Sequence, residues 1–339
     1  MAELRWNPLI KDWVMINSNR QSRPNMPKDY CPFCPGSGKV PEHYDVLKYD
    51  NDFPALSQNP LPVDVDIGVE GNSGLYSANP MYGKCEVILF SPEHKSSICK
   101  FTIEHIGKII DLWIERFIEI GKNPDIKYIF IFENRGKLVG VTQPHPHGQI
   151  YGYSFLPKKI ELECDSFKEH FQKTGNCMFC SINDAEKDFA HRSVYENEDF
   201  IVYVPFFAEY VYQVYISSKS HKSNITQFNG REKNNLALTF KMVTGMYDTL
   251  FNKRFPYMMC MHNAPVNMGN NTDNFFHFHI EFYPPLRSKN VQQFNASSET
   301  GVWAHCNPSS PEEKAAELRV ALKKFEDKLN KQNKSKSKK

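Results

Sequence analysis

No stretch of this chain approaches the roughly eighteen consecutive apolar residues that a membrane-spanning helix requires. Its opening segment, MAELRWNPLIKDWVMINSNR, lacks the uninterrupted apolar run of an export signal. A surplus of either charge is also missing: 41 lysines and arginines face 39 aspartates and glutamates, for a net charge of +2. No whole-molecule field therefore selects nucleic acid or a membrane as partner. Low-complexity bulk is absent, since 40% hydrophobic, 13% aromatic and 24% charged residues describe an ordinary globular chain. Nine cysteines, an odd number, do not read as a disulfide framework. The expectation is a cytoplasmic protein in a reducing compartment, where close cysteine pairs hold metal. At 339 residues the chain can bury one large domain or two ordinary ones.

Histidine is scarce as well, twelve in all, yet two sit one residue apart in QPHPHGQ, Gln143 to Gln149. An ordered repeat gives that pair a context. The first half runs CPFC (Cys31, Cys34), NDFPAL (Asn51 to Leu56), SPEHKSS (His94) and HPH (His145, His147). The second runs CMFC (Cys177, Cys180), EDFIVYVP (Glu198 to Pro205), SKSHKSN (His221) and HFH (His277, His279). Four landmarks recurring in one order point to duplication of a single unit. The chain accordingly divides into residues 1–165, residues 166–330 and a basic, disordered tail at 331–339, with the junction between units falling near 157–176.

Each unit reads as strands around one long helix, an α+β pattern. CEVILF (Cys85 to Phe90) and KYIFIFEN (Lys127 to Asn134) are β-branched and aromatic runs suited to buried strands. Between them Thr102 can cap a helix carrying Ile103, Ile106, Ile110, Trp113 and Phe117 on one face, with GKNP as its stop. In the second unit IVYVP and VYQVYIS read as strands, Arg231 to Phe251 as helix, and Phe275 to Tyr283 as the closing strand. After Ser310, Pro311 and two glutamates open a last helix.

Two cysteines separated by two residues can put both thiolates on one ion, and a tetrahedral site then needs two further ligands. His94 and His145 are the candidates in the first unit. The repeat assigns Cys177, Cys180, His221 and His277 to a matching second site. Closed Cys2His2 sets leave no open coordination position, so both ions would be structural zincs. In an extended segment residues two apart share a face, so His145, His147 and Gln149 line up together. With one histidine on the metal, the other is left for chemistry. A neutral imidazole fixed at one nitrogen can attack phosphorus with the other and form a phosphoramidate.

CPFC, NDFPAL, CEVILFSPEH, FENRGKLVGVTQPHPHGQIYGYSFLP, IVYVPFFAEYVYQVY, MHNAPVN and HFHIEFYPPLRS together resemble the galactose-1-phosphate uridylyltransferase family, a branch of the histidine-triad superfamily, from Trp6 to Arg319. The resemblance implies duplicated histidine-triad-like units, each an antiparallel sheet with a long helix, joined in one chain. It implies a ping-pong transfer of UMP from UDP-glucose to galactose 1-phosphate through a uridylyl-histidine, in a homodimer with its active site at the interface. By position His147 resembles the nucleophile, oriented by the carbonyl of His145. Gln149 matches the glutamine on the transferring phosphoryl group, where hydrolytic relatives carry a third histidine. Asn51, Asp52 and Phe53 resemble the uridine-binding residues, and Asn134, Gly140 and Thr142 those along the approach to the phosphates. Arg20 and Arg23 match arginines at the phosphate end, where guanidinium forks suit phosphate oxygens. Glu299 aligns with a glutamate that grips hexose hydroxyls, while His305 and Gln293 stand where a glutamine and a lysine are common. ETGVWAHCNPSSPEE is similar to the variant of a second subgroup. The resemblance also offers a rival second metal set, Glu163, His262, His277 and His279, which would hold zinc or iron and shares His277 with the cysteine set; the surviving cysteines favour the latter. Two other functions stay open: an adenylyl-transferring relative of the ADP-glucose phosphorylase type, whose members tend to carry serine where this chain has Pro146, and a non-catalytic zinc-containing nucleotide-binding protein working through its basic tail.

Overall fold

A computed structural model describes residues 2–18, 30–63, 74–141, 143–269 and 271–336. The chain starts with a hairpin of β1 (Ala2–Asn7) and β2 (Asp12–Asn17). Then come β3 (Leu47–Asp50), β4 (Ala78–Pro80), β5 (Gly83–Leu89), helix α1 (Ile103–Gly121), β6 (Tyr128–Arg135) and β7 (His147–Tyr153). Helices α2 (Lys158–Thr174) and α3 (Met178–Phe189) precede β8 (Ser193–Glu196), β9 (Phe200–Tyr203) and β10 (Val214–Ser218). Helix α4 (Gly230–Leu250) leads to β11 (Tyr257–His262) and β12 (His279–Tyr283). A short hairpin of β13 (Leu286–Ser288) and β14 (Val291–Gln292), then α5 (Ser297–Val302) and α6 (Pro311–Lys336), finish the chain.

Nine of these strands form one antiparallel sheet in the order β3-β5-β7-β6-β11-β12-β10-β9-β8. Its eight strands from β3 to β9 form a palindrome about the β6–β11 pair: β3 answers β9, β5 answers β10, β7 answers β12. The repeat seen in sequence is therefore a pseudo-twofold in space, and β6–β11 pairing, with Phe132 opposite Cys260, fuses the two units into a continuous sheet. Between β5 and β6 lies α1, and between β10 and β11 lies α4, as the duplicated strand–helix–strand pattern requires.

Strand alternation sorts the two faces. Along β5, Ile88 joins the cluster formed with Ile106, Ile110 and Trp113 of α1, whereas Val87 and Leu89 turn the other way onto Phe33 and Val40. Helix α1 begins where Thr102 Oγ1 accepts the His105 N–H (3.1 Å). Helix α4 starts with a full capping box between Asn229 and Glu232 and packs beside α1. Behind it lies α6, approaching so closely at Gly245 that a Cβ there would stand 2.1 Å from the Phe325 ring. The opposite face carries α2 and α3, with Phe167, Phe179 and Tyr215.

Three boundaries differ from the sequence expectation, and the CMFC pair falls at a helix start to which the sequence reading assigned no element. Phe275 to Phe278 is not strand; only His279–Tyr283 pairs with β10 and β11. Val211 to Gln213 forms a turn before β10, and CMFC straddles the start of α3. Residues 331–336, expected as disordered tail, continue α6, because lysine and glutamine are good helix formers at a solvated end. No helix among the described residues is long and apolar enough to cross a membrane.

Candidate active site and metal centres

The chemistry lies on the sheet face away from α1 and α4. On β7, Gly148 and Ile150 point towards the helices, so His147, Gln149 and Tyr151 point outward, beside Phe132 of β6. His147 is half-buried, and its Nδ1 donates to the carbonyl of His145 at 2.7 Å. That bond selects the tautomer with its lone pair on Nε2. The Tyr151 hydroxyl donates to Gln149 Oε1 (3.0 Å), and Phe33 sits 5.6 Å from the His147 ring, centroid to centroid.

Cys31, Cys34, His94 and His145 converge, their four donor atoms within 4.8 Å of one another. Sulfur to Nδ1 distances are 3.7 Å (Cys31–His145), 3.4 Å (Cys34–His94) and 3.7 Å (Cys34–His145). A tetrahedral ion with ordinary zinc bond lengths separates S and N donors by about 3.6 Å, so the residues fit such a metal. His145 Nε2 donates to the Ser91 carbonyl (2.7 Å), which turns Nδ1 to the cysteines. Burial pushes the His145 imidazole down to about 4, keeping it neutral, and pushes the Cys31 thiol up to about 11, where a thiolate needs a cation.

The second set repeats this geometry. Cys177 and Cys180 lie 3.4 and 3.6 Å from His277 Nδ1, and Cys180 lies 3.9 Å from His221 Nδ1. His277 Nε2 donates to the Ser218 carbonyl (2.9 Å), the counterpart of Ser91, and His221 Nε2 to the Asp273 carbonyl (2.7 Å). His279 mirrors His147, its Nδ1 bound to the carbonyl of His277 at 2.9 Å, but it is 1% exposed and stacked 4.2 Å from Phe179. The half of the sheet equivalent to that of His147 is thus closed.

The rival metal set needs correction. His277 belongs with the cysteines, and the third cluster is Glu163, His262, His279 and Glu281. Residues 277, 279 and 281 lie two apart along one segment, yet His277 turns to the cysteines while His279 and Glu281 both meet Glu163 and His262. Glu281 falls opposite Cys260 of β11 and beside His262, whose Nε2 it meets at 3.3 Å, while Glu163 of α2 accepts from His262 Nδ1 at 2.9 Å. Lys159 donates to Glu281 at 2.7 Å. Two imidazoles and two carboxylates suit a borderline cation such as zinc or iron. The cysteine and carboxylate sets share no residue, so filling one does not empty the other. Glu281 occupies the place in the repeat that Gln149 holds in the first unit, a signal the aligned halves already contained.

Other candidates disperse. Asn51 Oδ1 accepts the Phe53 N–H (2.9 Å), and Asp52 accepts from Tyr49. Asp52 and Phe53 border a cavity of about 280 Å³ with Leu56 and Met81. Asn134, on β6, lines a second cavity of about 320 Å³ that reaches His147, and Gly140, at φ 77°, closes the nearby turn. Glu299 Oε2 accepts the Ala296 N–H (2.9 Å) in α5, and neither cavity contains it. Gln293 bridges Val211 and Glu209, and His305 lies 3.9 Å from Glu209. Arg20, Arg23 and Thr142 lie outside the described residues. Sequence reasoning gave no role to Glu133, Arg135 or Arg254 in the second cavity; the first two lie within the FENRGKLVG stretch, and Arg254 lies in no motif.

A duplicated antiparallel sheet thus carries a backbone-oriented histidine beside a thiolate–imidazole cluster, and the comparisons with known proteins place this arrangement among the nucleotidyltransferases. Residues 1–157 match the family described as galactose-1-phosphate uridyl transferase, N-terminal domain, and residues 163–329 its C-terminal domain. The galactose-1-phosphate uridylyltransferase of Thermotoga maritima is 40% identical, covering 94% of this chain and 98% of that one. That of Haemophilus influenzae is 31% identical, covering 86% of each. A solved uridylyltransferase structure superposes with a TM-score of 0.85 at 29% identity, covering 95% of this chain and 99% of that one. An ADP-glucose phosphorylase from Arabidopsis thaliana shares the fold, with a TM-score of 0.72 at 24% identity over 94% of this chain and 99% of that one. The chain belongs to the galactose-1-phosphate uridylyltransferase family.

Proposed function

We propose that the protein moves UMP from UDP-glucose to galactose 1-phosphate in two displacements at His147. Nε2 attacks the α-phosphorus; the N–P bond forms as the bond to the β-phosphate oxygen breaks, and glucose 1-phosphate leaves with the electron pair. A phosphate oxygen of galactose 1-phosphate then attacks the same phosphorus, the N–P bond breaks, and UDP-galactose departs. The proton stays on Nδ1 throughout. The observation that carries this reading is the 2.7 Å bond from Nδ1 to the His145 carbonyl on a half-buried outward strand position. That carbonyl stabilises the charge the ring acquires on phosphorylation. Gln149, which cannot act as a proton donor in the way an imidazolium does, favours a phosphorylated acceptor over water.

Zinc in both Cys2His2 sets would brace the loops around this strand, and zinc or iron at Glu163, His262, His279 and Glu281 would tie α2 to β11 and β12. Each ion supplies rigidity and charge balance there. That Glu299 lines neither cavity supports a homodimer in which α5 of one copy completes the other's site.

The test is intact mass after incubation with UDP-glucose, and separately with ADP-glucose. UDP-glucose should add one UMP, labile to acid and stable to mild base, and His147→Ala should take none while remaining folded. Labelling of that variant, or an AMP adduct in place of UMP, would overturn the assignment.

A further inference from the structure

We propose that Arg254, backed by Lys137 and Arg135, receives the phosphate of the sugar 1-phosphate, the group released in the first displacement and attacking in the second. The inference rests on the transfer reading above. The cavity that reaches His147 is lined by the segment from Gln143 to Pro146 and by all three cations. At about 320 Å³ it lies within the range of small-ligand sites. The Asp52 and Phe53 cavity contains none of the three, so the two cavities differ in charge as the two ends of a nucleotide sugar do.

Arg254 is exposed, and its Nη2 donates to the Pro144 carbonyl at 3.3 Å. A guanidinium carries five N–H donors in a fork that matches phosphate, so this contact leaves donor capacity while anchoring the side chain to the loop before the nucleophile. Among the described residues no carboxylate lies within ion-pair distance of Arg254 or Lys137. Arg135 is 3% exposed; its Nη2 binds Asp248 at 2.7 Å, while Nε and Nη1 have no hydrogen-bond partner. The one carboxylate in the wall, Glu133, is bonded to the Tyr257 hydroxyl (3.0 Å) and pushed by burial up to about 7, so it subtracts little from the positive field. A buried cation behind two solvent-facing ones suits a doubly charged phosphate arriving from water.

The test uses full-length Arg254→Ala, Arg254→Lys and the Arg254→Ala/Lys137→Ala double variant. Three readouts are direct glucose 1-phosphate binding by calorimetry, UMP binding, and KM for galactose 1-phosphate. Arg254→Ala should weaken glucose 1-phosphate on the order of tenfold, as loss of a charge-assisted contact does, and raise KM in step. The double variant should weaken it further, and Arg254→Lys should recover part. UMP binding should stay within about twofold, because the nucleoside end is elsewhere. Unchanged glucose 1-phosphate binding, equal weakening of UMP, or a fall in kcat alone would overturn the assignment. If wild-type protein takes no UMP from UDP-glucose, the transfer reading fails, while the calorimetry still judges Arg254 directly.

Discussion

Replacing Cys177 by serine should remove one metal ion and destabilise the protein while sparing the chemistry. The thiolate is 3.4 Å from His277 Nδ1, near the spacing an ion would impose, and Cys177 is 7% exposed, so no outside ligand can take its place. Loss of an outer contact to a metal ligand typically costs 10–100-fold in affinity; loss of a ligand therefore costs at least about 100-fold, roughly 2.7 kcal/mol. An ion present at about 1,000 times its dissociation constant stabilises the fold by about 4 kcal/mol. At about 2 °C per kcal/mol for a chain of this size, Tm should fall by roughly 5 °C for a 100-fold loss and by roughly 8 °C once the ion is stripped altogether. Because the carboxylate set shares no residue with the cysteine set, wild-type protein should carry three ions per chain and the variant two, measured by elemental analysis after dialysis against a mild chelator. UMP labelling of His147, in the other half of the sheet, should change by less than about threefold, since no residue of the second set borders its cavity. An unchanged metal count and Tm in Cys177→Ser would refute the reasoning, and His262→Ala, which should lose the third ion alone, separates the two sites.

Gln149→His should raise UMP release to water relative to sugar exchange, because an imidazolium can protonate leaving groups; an unchanged partition ratio counts against that role. Burial holds Glu133 at about 7 in the folded protein, above its unfolded value, so the neutral acid's contribution is present below pH 4.5 and lost as pH rises through 7. Glu133→Gln should therefore gain stability relative to wild type by up to about 3 kcal/mol between pH 4.5 and 8, read from urea unfolding at each pH, and a parallel pair of curves would refute it. Mixing inactive His147→Ala with inactive Glu299→Ala should restore activity if α5 acts across a dimer; continued inactivity of refolded mixtures excludes a shared site.

Motifs and periodicity carried much of this molecule without coordinates. The ordered CxxC, histidine and HxH landmarks announced the duplication, and period-3.6 isoleucines with a threonine cap located α1 to within a residue of its start. Such signals are local, set by residues a few positions apart. Which of His277, His279 and Glu281 meets which partner was not local: all three share a face, and only the register of β12 against β11, with the approach of α2, distributes them between the cysteine and carboxylate clusters. The same holds for Arg135, inside a motif but given no role by it, and Arg254, in no motif: far apart in sequence, they are brought to one cavity beside His147 by β6–β11 pairing and the turn before β11. Residue types and their repeat determined what chemistry was available; strand pairing, which a one-residue slip would invert, decided where each side chain could act.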